Sequence, residues 1–321
     1  MKTIIFLGTP QMSADLLEEI IKDQMSADLL EEIIKDNKYK VVGVISQPDK
    51  PLGRKKILTP SPVSMVALKY NIPLHRPEKL NNDYEFIERL QPDLLLTFAY
   101  GQLISTKVLS LSKYQALNLH GSLLPKYRGA APIQYALKNG DKKTGVCLMA
   151  MVKKMDAGAV YGKVEISIDE EDNYTSLCKK ITEASHICMN RYLPDFFENK
   201  IIPLEQNEEE VTFSPSIKPE EEHLDLQKSS EEFLNQIRSL SETPCGYLYL
   251  ESGEKFKIYK AHYLNDLVES EVGKIIVAHK KDLIIQLKDG QINLDIVQKS
   301  GKNKMDSQSF NNGTAFLGSV L

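Results

Sequence analysis

The sequence predicts an α/β protein with a Rossmann-like, mostly parallel sheet carrying helices on both faces, followed by a small C-terminal OB-like β-barrel. Short apolar runs alternate with helical patterns from the N-terminus to about residue 200, and alternating β and α units build parallel sheets. Beyond residue 240, short strands follow one another between Gly, Asp and Lys turns, as in small barrels and sandwiches. A chain of 321 residues is also long for a single hydrophobic core.

The elements follow from the spacing of apolar residues along the chain. In the first part, buried strands are predicted at residues 4–7, 40–45, 93–97, 116–119 and 144–151. Helices are predicted at residues 61–70, 83–90, 133–138, 174–197 and 230–240. In the last part, strands are predicted at residues 254–261, 273–278, 282–287 and 290–298.

An acidic stretch poor in apolar residues separates the two parts. Residues 203–222 contain Glu208-Glu-Glu210 and Glu220-Glu-Glu222, and this composition favours a solvated linker over an acidic binding tail. We therefore expect a first domain at residues 1–205, a linker at 206–222 and a β-barrel domain at 223–321.

A thirteen-residue unit occurs twice in tandem near the N-terminus. Residues 11–23 (QMSADLLEEIIKD) are repeated without change as residues 24–36. Thirteen residues of continuous helix add about 20 Å and rotate the apolar stripe by about 220°, so one straight helix cannot lay both stripes on the same sheet face. We expect one copy to dock as the first helix and the other to break away, with no functional role for the duplication.

Composition excludes several classes of protein. The net charge of −4 gives no global sign of nucleic-acid binding, so any RNA contact must come from a local patch. The four cysteines form no CxxC pair and lie at no metal-ligand spacing, which predicts reduced thiols and no metal. No apolar run is long enough for a signal sequence or a membrane span. We expect a cytoplasmic protein without a membrane partner.

Nucleotide-binding motifs are missing. Gly8-Thr-Pro10 follows the first predicted strand, but it lacks the second and third glycines of the dinucleotide fingerprint. The chain also has no GxxxxGK[ST] loop. Nicotinamide and nucleoside triphosphate chemistry are therefore not expected.

The residues best suited to chemistry lie around the fourth strand. Asn118 and His120 leave the same face of that strand because side chains alternate with a period of two. They emerge at the carboxyl end of a parallel strand, where open α/β sheets bind ligands. An amide can donate to a developing oxyanion, an imidazole can move a proton, and a carboxylate such as Asp156 can hold the imidazolium. Because no activated Ser or Cys is evident, direct attack by a substrate nucleophile on a bound acyl group is favoured over a covalent intermediate.

These residues identify a likeness to a known family. Asn118-Leu-His120 with a downstream Asp resembles the folate-dependent formyltransferases. Further stretches similar to that family lie at residues 4–10, 47–56, 98–103, 128–134, 217–226 and 246–261. The likeness spans nearly the whole chain and is strongest over residues 93–158. The loop at 47–56 and the Arg128-Gly-Ala-Ala-Pro segment are what resemble the branch of the family that acts on tRNA.

The resemblance implies transfer of a formyl group from 10-formyltetrahydrofolate to the α-amine of initiator methionyl-tRNA, by a monomer. Asn118 and His120 would stabilise the oxyanion, and Asp156 would tune His120 and help remove the amine proton. Folate-binding positions implied by the family are Ser122, Leu123, Leu124, Pro125, Tyr100, Gln102 and Leu103. Positions implied to contact tRNA phosphates are Lys50, Arg54, Lys55 and Lys56. The β-barrel domain would help to hold the tRNA.

Two other functions stay open at this point. A formyltransferase for a nucleotide-linked amino-sugar shares the Asn-Leu-His-Gly-Ser pattern, although the basic loop argues against it. A tRNA- or folate-binding paralogue impaired by the duplication is the other, although Asn118, His120 and Asp156 are all present. Cys147 stands where the family usually has Thr, and the chain has no Trp, which affects expected stability and tRNA affinity more than chemistry.

Overall fold

The computed structural model describes residues 1–29, 39–53 and 55–313, with only the backbone for 25–29. Its contacts divide the chain into two compact units built from segments that are distant in sequence. The first unit comprises residues 1–130, 144–166 and 178–214, and the second comprises 131–143, 167–177 and 215–321. The boundaries expected from sequence, at residues 205 and 222, stay a prediction.

A seven-stranded sheet forms the centre of the first unit. The strands of this part of the chain are β1 (Lys2–Gly8), β2 (Tyr39–Ile45), β3 (Lys50–Leu52), β4 (Ile57–Thr59), β5 (Leu74–His75), β6 (Leu94–Phe98), β7 (Leu117–His120), β8 (Lys143–Ala150) and β9 (Val160–Ser167). The sheet order is β5-β2-β1-β6-β7-β8-β9, and β3 and β4 form a separate antiparallel hairpin. The five strands from β5 to β7 pair in parallel, while β8 runs antiparallel to β7. The predicted mostly parallel sheet is confirmed.

The helices accompany the strands as the sequence pattern predicts. They are α1 (Gln11–Leu29), α2 (Pro62–Lys69), α3 (Glu85–Leu90), α4 (Thr106–Leu109), α5 (Pro132–Lys138) and α6 (Tyr174–Phe197). Side-chain caps stabilise the starts of α2 and α4. At α2, the Ser61 hydroxyl accepts from the backbone N–H of Ser64, and Pro62 occupies the first turn, where its missing N–H costs nothing.

The first copy of the tandem repeat docks on the sheet. Its apolar side chains, Leu16, Leu17, Ile20 and Ile21, are all at most 5% exposed. Helix α1 continues without a break across the junction of the copies to Leu29, and the expectation that the other copy breaks away stays a prediction. The remainder of the second copy, residues 30–36, lies outside the described residues.

The second unit contains an antiparallel sheet with a helix on either side of it in sequence. Its strands are β10 (Gly246–Tyr249), β11 (Lys255–Asn265), β12 (Ile275–His279), β13 (Asp282–Leu287), β14 (Gly290–Lys299) and β15 (Met305–Asp306), and its further helices are α7 (Ser230–Leu240) and α8 (Ser307–Gly313). The order is β10-β11-β14-β13-β12, with β15 paired to β14. Phe233, Ile237 and Leu240 of α7 pack with the buried strand residues. The predicted C-terminal β domain is confirmed.

The register of the first sheet brings three strand ends to one edge. Gly8 of β1 lies opposite Phe98 of β6, and Thr97 of β6 lies opposite Asn118 of β7. Because these strands are parallel, the segments that follow them start at the same edge, where ligands of open α/β sheets bind. None of the helices described here combines the length and apolar character needed to cross a membrane.

Candidate active site

Asn118 is held by a side chain of the neighbouring strand. The Thr97 hydroxyl donates to Oδ1 of Asn118 at 2.7 Å, which is shorter than its 3.3 Å separations from the Leu117 oxygen and the Met151 sulfur. With Oδ1 occupied, the amide presents its Nδ2 donors, and no described residue accepts from them. A hydrogen-bond donor of fixed orientation is therefore left at the end of β7.

His120 is buried and hydrogen-bonded through one ring nitrogen. Its side chain is 6% exposed, and Nε2 lies 2.9 Å from the backbone oxygen of Tyr127. A carbonyl oxygen only accepts, so Nε2 carries a proton. The other nitrogen, Nδ1, lies 3.7 Å from Oδ2 of Asp156. Nδ1 is thus the atom that can gain or release a proton, and it does so beside a carboxylate.

Asp156 occupies a backbone conformation that non-glycine residues seldom adopt. Its φ is 50°, in the left-handed region. Its Oδ2 accepts from the backbone N–H of Gly129 at 2.9 Å, and its backbone oxygen accepts from Nε2 of Gln206 at 2.8 Å. The same Gln206 nitrogen donates to the Gly158 oxygen at 2.8 Å. Hydrogen bonds on both sides of the residue hold the carboxylate against His120.

The loop between His120 and Gly129 is held by a hydrogen bond within the loop and by contact with Ser214, the last residue of the first unit. The buried Ser122 hydroxyl donates to the Lys126 oxygen at 2.7 Å. At Gly129, where φ is 129°, a Cβ would lie 2.5 Å from the Ser214 oxygen, so only glycine fits. The approach of residue 214 to this loop is therefore part of the site's construction.

Arg128 is a buried cation that fastens the same region. It is 1% exposed, and its Nε donates to Oε1 of Gln206 at 3.0 Å while Nη2 donates to Oε1 of Glu208 at 2.8 Å. Lys154 reaches the other oxygen of Glu208 at 2.6 Å. Hydrogen bonds from Arg128 and Lys154 lower the pKa of Glu208 to about 2. The acidic stretch was expected to be a solvated linker. Near its beginning, however, Gln206 and Glu208 accept hydrogen bonds from Arg128.

The side chains at the positions implied to bind folate differ in how far they are exposed to solvent. Ser122, Leu124 and Tyr100 are buried, and the Tyr100 hydroxyl has no hydrogen-bond partner among the described residues. The Gln102 amide is engaged with backbone groups of the segment at 77–80. Leu123 and Pro125 are partly exposed, and Leu103 is 72% exposed. Gln102 is partly exposed as well, so Leu103, Leu123 and Pro125 are the positions that present apolar side-chain surface to a ligand.

The basic positions lie on the β3–β4 hairpin. Lys50 begins β3, and Lys55 and Lys56 lie in the turn before β4, all with exposed side chains. Lys56 closes the turn through a backbone hydrogen bond to the Gly53 oxygen at 3.1 Å. Arg54 lies outside the described residues. The structure thus gathers three of the four cations on one short hairpin.

The cysteines and acidic groups offer no metal chemistry in the part of the chain that is described. There, no group of three or more His, Cys, Asp or Glu side chains could hold a metal ion. Burial raises the pKa of Cys147 and Cys245 to about 11 and that of Cys188 to about 12. These thiols are packing residues, since a thiol of such pKa carries almost no thiolate near neutral pH.

Thr97, Gln206 and Ser214 were not predicted from the sequence, although all three contact the site. A lone Thr in the apolar run of β6 gives no signal, because Thr is an ordinary strand residue. Gln206 stands 50 residues beyond Asp156 in the chain, in a stretch whose composition favours a linker. The assembled groups are an oriented amide donor, an imidazole with one free nitrogen and a carboxylate beside it. They can polarise a carbonyl and accept a proton from an attacking amine.

Comparison with known proteins gives matches over both halves of the chain. Residues 2–193 match the family described as formyl transferase, and residues 216–315 match the formyl transferase C-terminal domain. A methionyl-tRNA formyltransferase of Mesoplasma florum is 43% identical over 96% of this chain and 94% of its own length. A protein of the same name from Streptococcus suis is 41% identical over 98% of this chain and 96% of its own length.

Solved structures share the fold at lower sequence identity. HypX from Aquifex aeolicus, in complex with tetrahydrofolic acid, is 16% identical with a TM-score of 0.63, covering 97% of this chain and 46% of that one. An N-formyltransferase from Helicobacter canadensis, in complex with folinic acid and dTDP-3-aminofucose, is 18% identical with a TM-score of 0.63. It covers 93% of this chain and all of the other.

Proposed function

Since this chain belongs to the formyl transferase family, we propose that it transfers the formyl group of 10-formyltetrahydrofolate to the α-amine of methionyl-tRNA. Relatives that align over nearly their whole length carry that acceptor in their name. The observation that carries the proposal is the cluster of Asn118, His120 and Asp156 at the carboxyl edge of the sheet. Its groups match the needs of acyl transfer to an amine.

Asn118 stabilises the charge that develops on the formyl oxygen. Its Nδ2 donors are unoccupied because Thr97 holds the amide through Oδ1. A donor already oriented towards the reacting oxygen lowers the barrier without reorganisation, and such a donor is typically worth about 10²–10³ in kcat. The same free donors are the feature of this site that fits a bound formyl group.

His120 and Asp156 handle the proton of the attacking amine. A bond forms between the α-nitrogen and the formyl carbon, the bond from that carbon to the folate nitrogen breaks, and one proton leaves the α-nitrogen. Nδ1 of His120 is the acceptor, because Nε2 already donates to Tyr127. The carboxylate at 3.7 Å stabilises the imidazolium that results. The proton then passes to the leaving folate nitrogen, so no net proton is taken up.

The formylated folate supplies the one-carbon group when it is bound. Leu103, Leu123 and Pro125 are the family-implied positions that expose side-chain surface for its ring system. The buried residues Tyr100, Ser122 and Leu124 support the two segments that carry these exposed positions. We assign direct folate contact to the exposed three and a supporting role to the buried three and to Gln102.

The tRNA is held in part by Lys50, Arg54, Lys55 and Lys56. Cations on a projecting hairpin can approach the phosphates of the acceptor end, which is an interaction that does not depend on base sequence. The net charge of the chain is −4, so such a local patch has to supply the attraction. The enzyme is proposed to act as a monomer in the cytoplasm, which sedimentation and cell fractionation would check.

The decisive experiment offers the purified chain 10-formyltetrahydrofolate with one of three acceptors: methionyl-tRNA, uncharged tRNA, or a nucleotide-linked amino-sugar. We expect formylmethionyl-tRNA as the only product, and a KM for tRNA that rises with salt. Replacing Lys50 and Lys55 by Gln should weaken that salt dependence while leaving the KM for folate unchanged. Formylation of the sugar without formylation of methionyl-tRNA would contradict the proposal.

A further inference from the structure

One short segment contacts the supports of both His120 and Asp156. Residues 206–214, here called the strap, belong to the first unit, although they lie in the acidic stretch between the two family domains. Among the described residues, the strap makes hydrogen bonds to backbone groups of this region and not to the side chains of His120 or Asp156. It reaches the backbone groups that hold them.

At its start, the strap holds the Asp156 backbone through Gln206. The Gln206 amide nitrogen donates to the backbone oxygens of Asp156 and Gly158, both at 2.8 Å. These bonds hold the backbone at and just after the residue whose φ of 50° accompanies the approach of its carboxylate to His120. A backbone held in the left-handed region needs such support, because that conformation is unfavourable for a non-glycine residue.

At its end, the strap holds the loop that positions His120. The Thr212 hydroxyl oxygen accepts from the Tyr127 N–H at 2.9 Å, and the Ser214 hydroxyl donates to the Tyr127 oxygen at 3.0 Å. That oxygen is the one to which Nε2 of His120 donates. Backbone hydrogen bonds from Arg128 to the Thr212 oxygen and from Ser214 to the Arg128 oxygen fix the register between strap and loop.

Arg128 locks the orientation of the Gln206 amide. Its Nε donates to Oε1 of Gln206 at 3.0 Å, so the amide oxygen must face Arg128 and the nitrogen must face the two carbonyls. Glutamine satisfies both demands at once, with an acceptor on one side and two donors on the other. Glutamate of the same size would keep the acceptor and lose both donors.

We propose that Gln206 is a positioning residue for formyl transfer, which sets the carboxylate of Asp156 relative to Nδ1 of His120. The assignment rests on the proposed function, because its effect is read in the rate of that reaction. A displacement of about 1 Å in a reacting group lowers rates by about 10²-fold. Gln206 touches no substrate in this assignment, so its loss reduces kcat while substrate affinity stays unchanged.

The test compares Gln206→Glu with Glu205→Gln and with the double exchange of both residues. Glu205 is exposed and precedes the strap, so Glu205→Gln shows the effect of the neighbouring exchange by itself, and the double variant restores the net charge of the parent. We expect kcat of Gln206→Glu and of the double variant to fall about 10–100-fold. The KM for each substrate should stay within about twofold, and Glu205→Gln should match the parent.

Hydrogen exchange gives a second readout that does not depend on activity. In Gln206→Glu, the amides of residues 153–158 should exchange faster at a temperature at which the rest of the chain keeps parental protection. Parental kcat in a folded Gln206→Glu variant, or equal losses in Glu205→Gln, would overturn the positioning role alone. If the parent enzyme itself does not formylate methionyl-tRNA, the proposed function is overturned as well. The two failures are therefore distinguishable.

Discussion

The backbone oxygen of Tyr127 and Nε2 of His120 lie 2.9 Å apart, so one nitrogen of the imidazole to which we assign the proton transfer keeps its proton in every charge state. Tyr127 turns its carbonyl to this position with a φ of 61°, a conformation that few non-glycine residues adopt. Proton transfer is therefore confined to Nδ1, on the side of Asp156.

Replacement of His120 by Ala should lower kcat by about 10²–10⁴-fold, the usual contribution of a positioned acid–base group. The KM for folate should change little, because the imidazole acts on the reacting atoms. Single-turnover formylation of methionyl-tRNA measures the step directly. A kcat within a few-fold of the parent would show that His120 has a structural role only.

Thr97→Val should lower kcat about tenfold, because it removes the hydroxyl that orients Asn118 while keeping the shape of the side chain. Asn118→Ala should cost about 10²–10³-fold. In a double-mutant cycle the two losses should not add, since Thr97 acts only through Asn118. Additive losses would mean that Thr97 affects the reaction by another route.

Gly129→Ala should destabilise the protein by about 3 kcal/mol or more, because the added Cβ meets the Ser214 oxygen at 2.5 Å in a backbone region closed to alanine. Gly53→Ala is the matched control. Gly53 also has a positive φ, of 69°, but nothing lies within 4 Å of its Cβ position. For Gly53→Ala we therefore expect only the cost of the left-handed backbone conformation, about 1–2 kcal/mol. Urea denaturation of both variants would measure the difference, and equal losses would refute the role given to the strap contact.

The buried thiols should resist alkylation in the folded protein. Burial raises the pKa of Cys147 from 9.0 to about 11 and that of Cys188 to about 12. Since the folded pKa values exceed the unfolded one, the stability linked to these thiols is fully present below pH 9 and is lost as the pH rises towards 11–12. A thiol reagent at pH 8, followed by mass spectrometry with and without denaturant, checks the prediction. Fast labelling of Cys147 in the folded state would contradict it.

Removal of one repeat copy should leave the enzyme folded and active. Because the copies are identical, deleting residues 11–23 or residues 24–36 gives the same polypeptide. Asp23 and Tyr39 both contact Asn190, at 3.5 and 2.5 Å. Both ends of the deletion therefore lie near Asn190, and residues 37 and 38 remain to join them.

We expect the shortened enzyme to keep kcat within about twofold of the parent and to unfold at a similar temperature. Thermal unfolding and methionyl-tRNA formylation would measure both properties. A shortened chain that folds but loses activity would show that the extra copy contributes to the site.

Hydrophobic spacing was sufficient to predict the two folds. Gly8 ends the apolar run of β1, Pro92-Asp93 precede that of β6 and Gly121 follows that of β7. Local capping signals such as Ser61-Pro62 before α2 and Ser105 before α4 mark the helix starts. The period of two along β7 also placed Asn118 and His120 on one face. These are local properties, because each of them is determined by a single short segment of the sequence.

The supports of the site could not be predicted in that way. Gln206 and Glu208 meet Arg128 across 78 and 80 residues, and no local pattern reports such a distance. The acidic composition of that stretch indicated a solvated linker, because composition does not reveal that a buried guanidinium binds one of its carboxylates. Helix α1 runs across the junction of the two copies to Leu29, and the argument from two apolar stripes does not forbid this, because it requires both stripes to be buried.

During translation, which starts at the N-terminus, Asn118, His120 and Asp156 are synthesised well before the strap. A nascent chain that has reached residue 205 holds every reacting side chain, yet it lacks the hydrogen bonds from Gln206, Thr212 and Ser214 that aim two of them. Catalytic competence would then be acquired late, during the passage from one domain to the next. An N-terminal fragment cut at residue 205 would lack these supports and would be a poor catalyst.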